Sequence, residues 1–203
     1  MEKILTSNSN FYILVDNFPY KDSISKLETE FASWFDFKTK QKKDISNYDL
    51  NSNSSNSLIS SFNTKLKTGN FTFLYYNDIC LCFCGLQVED KNAWIHRLFT
   101  NPLEYIKHLG TISQYILPYQ ISCAKNMNCK YYKLTYHGNN QKFYYFYKNQ
   151  KYYKSKFYKN NTLSGVENIS KFDFIGEEII NNTAQLVARL DLSIPDIDQF
   201  CKF

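Results

Sequence analysis

Between positions 105 and 166 the chain has ten lysines and no carboxylate: Lys107, Lys125, Lys130, Lys133, Lys142, Lys148, Lys151, Lys154, Lys156 and Lys159. A cationic field of this kind suits a polyanion, either a phosphorylated small molecule or a nucleic acid. The plainer role is to solvate the helices that carry it. From Lys142 to Lys159 lysines interleave with aromatic residues. Stacking plus phosphate pairing there could hold a single nucleic-acid strand, although no recognised nucleic-acid motif accompanies it. Of the three histidines, His96 falls in a strand pattern, while His108 and His137 fall at turns. None has a metal-like partner by spacing. Cys80, Cys82 and Cys84 alternate along one strand pattern and so should share a face. They lack the Cys-x-x-Cys spacing of a zinc knuckle and read as buried reduced thiols.

These residues need elements to position them. An apolar run at 11–15 before Asp16-Asn17-Phe18-Pro19 reads as a first strand. Ile24, Leu27, Phe31, Trp34 and Phe35 recur at helical spacing, giving an amphipathic helix over about 22–37. A polar stretch near 38–57, ending in Asn-Ser repeats, reads as a flexible loop, and 58–66 as a short helix. Three strands follow at 71–76, 79–88 and 93–100, joined by Asn77-Asp78 and by a turn at 89–92, and form an antiparallel meander. The next helix carries Leu109, Ile112, Ile116, Cys123, Ala124 and Met127 on about one face, and Pro118 inside it predicts a kink or split. A strand at 130–136 comes next. Strand, long helix, strand is a right-handed crossover, so 93–100 and 130–136 should be parallel. Asn139 or Asn140 caps a helix over about 141–152. Phe172 to Ile175, a Gly176 turn and a closing strand at 184–192 complete the chain.

The 203 residues suit one domain, and a 43% hydrophobic content can build a core. Net charge is +5, with 17 Tyr and 17 Phe but Arg only at Arg97 and Arg189. That bias is the mark of an AT-rich genome, and the Asn-X-Ser/Thr triplets follow from it. With no secretory signal and no apolar run of membrane-spanning length, the expectation is a soluble cytoplasmic protein.

In this order the elements resemble the GNAT acyltransferase superfamily. The chain is identified as a single GNAT-like α/β domain over 1–203: a mixed, mostly antiparallel sheet with a parallel fourth and fifth strand pair and flanking helices. The family's Gln/Arg-x-x-Gly-x-Gly/Ala turn is matched by Lys107-His108-Leu109-Gly110-Thr111-Ile112. The resemblance implies that backbone N–H groups there, aided by the helix dipole, hold a coenzyme A pyrophosphate, with Lys107 as the basic first position. Ile112 departs from the pattern, which has a small residue there. The Asn that opens the family's next helix and the Tyr about seven residues on are matched by Asn140 and Tyr147. The family role implied for Asn140 is cofactor contact, and for Tyr147 protonation of the departing thiolate. Leu98, Phe99 and Thr100 match the strand end that pairs with the pantetheine arm. His96 matches a position where some members place the catalytic base, and Glu89 and Asp90 are carboxylate alternatives.

The implied activity is transfer of an acetyl group from acetyl-CoA to an unidentified amine by direct attack. Two other readings stand beside it. One is a GNAT-fold protein that has lost transfer and binds a partner. Compact members with eroded signatures occur in large tailed phages, a setting the composition suits. The other is a nucleic-acid binder built on Lys142 to Lys159.

Overall fold

The structure, a computed structural model, describes residues 1–17, 69–101, 103–108, 110–137, 172–180 and 183–203. The expected helices at 22–37, 58–66 and 141–152 and the polar loop near 38–57 lie outside the described residues. The chain divides into two compact units, Met1–Val88 with His96–Leu109, and Glu89–Ile95 with Gly110–Phe203.

The first unit is built on antiparallel strands. These are β1 (Glu2–Leu5), β2 (Phe11–Asn17), β3 (Asn70–Tyr76), most of β4 (Ile79–Glu89) and the second half of β5 (Asn92–Thr100). The meander forms where alternation predicts it. Asn77 and Asp78 both have positive φ (44° and 66°), as a two-residue primed turn requires. Asp90 and Lys91 repeat that geometry at 47° and 60°. Along β3 every residue but Tyr76 is buried, and Phe71, Phe73, Tyr75, Cys80, Phe83 and Phe99 form one buried cluster. Phe83 is 5.2 Å from Phe99 and 5.9 Å from Phe73 between ring centroids. Offset aromatic pairs of this kind add about 0.5–1.5 kcal/mol each beyond area burial.

Three sequence expectations are corrected in the strands. The hairpin strand Glu2–Leu5 was not anticipated, so the parallel pair is fifth and sixth in the chain rather than fourth and fifth. Its signal was only Lys3-Ile4-Leu5 before a polar turn. The three alternating cysteines do not share a face. Tyr75 pairs with Cys80 and Leu74 with Cys82, so Leu81 is an extra residue on β4, a β-bulge that reverses the alternation. Cys80 therefore joins the aromatic cluster, while Cys82 and Cys84 oppose Leu74 and Thr72 on the other face. All three are buried and in no disulfide, as expected, and burial pushes the Cys82 thiol well up. Gly176 is not a turn either. Strand β7 (Asp173–Ile180) runs through it at φ +104°, with a register shift between Phe174 and Gly176.

The second unit holds the crossover. After β5 the chain passes through a helical segment to β6 (Tyr131–His137), then to β7 and β8 (Thr183–Asp191). Strand β6 is parallel to β5 over Asn92–Trp94 and antiparallel to β8 along its length. Within the first unit the strands run β1-β2-β3-β4-β5 and within the second β5-β6-β8-β7, mixed and mostly antiparallel with one parallel pair. A 3-10 helix, Ile197–Cys201, follows β8 and was not predicted. Among the described residues no helix is long and apolar enough to cross a membrane.

Candidate functional site

The segment from β5 to β6 is organised around its turn. At the end of β5, Asn101 is pinned to β4: its N–H donates to Leu81 O at 2.7 Å, and its side-chain Nδ2 to Cys80 O at 3.0 Å. Its Oδ1 accepts from the N–H groups of Leu103 (3.1 Å) and Glu104 (3.2 Å), which starts the 3-10 helix Tyr105–His108. At the far end of that helix the His108 ring lies 4.2 Å from the Tyr76 ring and edge-on to Phe11 at 5.7 Å. The anchoring role of Asn101 follows from Asn at the end of a strand, where a short side chain bonds the backbone two or three residues on.

Gly110 has φ +92°, a conformation that side chains rarely adopt, and a Cβ built there would meet nothing within 4 Å. It is thus needed for backbone shape and leaves open space at its α-carbon. Thr111 is buried and precedes a π-helical segment, Ile112–Ile116, which continues into α1 (Leu117–Asn126). The predicted break at Pro118 takes this form. Proline cannot donate to the carbonyl four residues back, and just before it the Leu117 N–H bonds Ile112 O, a π spacing. The wider turn also shifts the phase of the apolar stripe. Ile116 and Ala124 are buried as expected, but Met127 is exposed and Gln120 is fully buried. Asn128, at φ 56°, closes the helix, with Cys129 N–H donating to Ala124 O.

The residues singled out from the sequence fare differently. Leu98 and Thr100 are half-buried on β5, whereas the Phe99 side chain is committed to the aromatic cluster. His96 lies on β5, with its side chain outside the described residues. Lys107 and His108 end the 3-10 helix of the first unit, Gly110, Thr111 and Ile112 open the helical segment of the second, and Leu109 lies outside the described residues. Asn140 and Tyr147 also lie outside them.

The lysine field is less bare in space than along the chain. Lys107 pairs with Glu104, Lys125 with Asp198 and Lys133 with Glu178 (3.5 Å). The Asp198 contact raises the Lys125 ammonium above its ordinary pKa. Lys130 lies over the Tyr131 ring, which Arg189 also faces at 4.5 Å. All three carboxylates come from outside the window that lacks them. Among the described residues no group of His, Cys, Asp and Glu could hold a metal ion.

No protein-family model matches the sequence, and no curated protein does. Solved structures do match. An uncharacterised protein from Bacillus halodurans superposes with a TM-score of 0.60 at 11% identity, covering 98% of this chain and 97% of that one. An N-acetyltransferase from Staphylococcus aureus gives 0.52 at 15% identity, covering 89% and 97%. The fold is that of the GNAT acetyltransferases. A spermidine N-acetyltransferase chimera from Vibrio cholerae gives 0.52 at 10% identity, covering 89% and 96%. At these identities the likeness is one of fold. It accords with the GNAT element order read from the sequence: meander, crossover helix, parallel strand.

Proposed function

We propose that this chain is an N-acyltransferase that moves an acetyl group from acetyl-CoA to an amine. The observation that supports it most is the strand–turn–helix of the crossover. Among the described residues strand β5 pairs with β6 over Asn92–Trp94, and Gly110 with positive φ stands at the head of the helix that leads to β6. A helix start offers several backbone N–H groups to an anion, and a glycine without a near neighbour lets a pyrophosphate approach the backbone. Lys107 adds a point charge three residues before it. Leu98, Phe99 and Thr100 offer peptide groups to a pantetheine arm.

The chemistry asks little of the side chains. The amine nitrogen attacks the thioester carbonyl, a C–N bond forms, and the C–S bond breaks as the tetrahedral intermediate collapses. Backbone N–H groups of β5 beyond Trp94 polarise the carbonyl oxygen. His96 takes the proton from the amine, and Tyr147 protonates the departing thiolate. Asn140 contacts the cofactor.

Calorimetric titration with acetyl-CoA and with desulfo-coenzyme A tests the reading. Micromolar binding of both is expected, and no binding at millimolar ligand would overturn it. Ile112, at the first π-helical position, favours a second reading: a GNAT fold that binds the cofactor without transfer. Binding without acetylation of any member of an amine panel would select it.

A further inference from the structure

Lys107, the cation that the phosphate turn would offer, already has an anion. Its Nζ donates to Oε1 of Glu104 at 2.9 Å and to Oε2 at 3.0 Å. The carboxylate is the anchored member. Its own N–H is bound to Asn101 Oδ1, Asn101 is bound twice to β4, and the turn closes with Lys107 N–H on Glu104 O at 3.0 Å. The Glu104 side chain is 26% exposed and that of Lys107 is 61% exposed, so the ammonium is the freer partner. A surface pair of this kind is weak enough to exchange partners. A phosphate brings more charge than a carboxylate and three acceptor oxygens.

We propose that Glu104 competes internally with the phosphate of acyl-coenzyme A for Lys107, and so sets the affinity of the turn for its anionic ligand. The inference rests on the acyltransferase reading and names a residue outside the family's motif. On binding, Lys107 exchanges the carboxylate for a phosphate. Glu104 then loses its counter-ion, and the lost pair is subtracted from the free energy of binding. Re-forming the pair speeds release of coenzyme A after transfer.

The test is calorimetric titration of acetyl-CoA into the wild type, Glu104→Gln, Glu104→Ala, Lys107→Ala and the double variant Glu104→Gln/Lys107→Ala, with a melting curve for each. Both Glu104 variants should bind about fivefold more tightly than the wild type, the size an exposed ion pair allows. The gain should shrink with added salt and vanish in the Lys107→Ala background. Wild-type binding with no gain in either Glu104 variant overturns the competition, as does a gain that persists without Lys107. Absence of wild-type binding overturns the acyltransferase reading itself, and this inference with it.

Discussion

The Tyr132 hydroxyl donates to Gln120 Oε1 at 2.7 Å, and both side chains are fully buried. This bond joins α1 to the inner face of β6. Tyr132→Phe deprives the Gln120 oxygen of that donor in a place water does not reach, and should cost about 1–3 kcal/mol. Urea unfolding measures it. The double variant Tyr132→Phe/Gln120→Leu removes both ends of this bond and should cost less than the sum of the two single changes. A double variant less stable than the sum of the singles would show that the pair is not a unit.

Gly69 sits at φ +128°, and a Cβ there would lie 2.0 Å from Leu86 O. The atom it meets is backbone in a buried strand and cannot rotate away. Gly69→Ala should therefore destabilise by more than about 3 kcal/mol, beyond the ordinary range for a surface glycine. A melting shift of only a degree or two would contradict the close approach.

Tyr12 has its phenol pKa pushed up to about 12, first by burial and then by its hydrogen bond to Asp78 at 2.8 Å. The folded value lies above the ordinary one near 10, so the protonated phenol is the form the fold favours. Its contribution is fully present below pH 10 and is lost as pH rises through 12. Phenolate absorbance should therefore show a late-titrating component that Tyr12→Phe removes. Asp78→Asn should bring the transition down.

Gly110→Ala meets no steric neighbour but must hold φ +92°. The strain should cost about 1–2 kcal/mol of stability. If the turn holds the pyrophosphate, acetyl-CoA affinity should fall by at least about tenfold, since a small backbone shift misplaces the donors. Equal loss of stability with unchanged affinity would separate the turn from the ligand.

Local signals were legible in the sequence, and non-local ones were not. Asn77-Asp78 and the alternation around it gave the meander, and Pro118 marked where the helix changes type, because each acts on its own neighbours. The reversal of the cysteines was hidden, because a bulge depends on how β3 and β4 are matched across the ladder. Gly176 looked like a turn for the same reason: a glycine with positive φ serves a bulge as well as a bend. The lysine window looked unpaired because Glu178 and Asp198 reach it from far along the chain, and only Glu104 was near enough to suspect. At the candidate site the turn residues were legible by type. That Lys107 carries its own counter-ion, and that Phe99 gives its ring to the core, required the packing.

The three described glycines with positive φ divide by what surrounds them. At Gly110 and Gly176 the restriction is torsional, so residues that tolerate left-handed backbone, such as Asn and Asp, would be the first replacements a random library accepts. At Gly69 both torsion and space exclude a side chain. A deep mutational scan should therefore show a hierarchy. Position 69 would reject every substitution, whereas positions 110 and 176 would be graded by the torsional tolerance of the incoming residue.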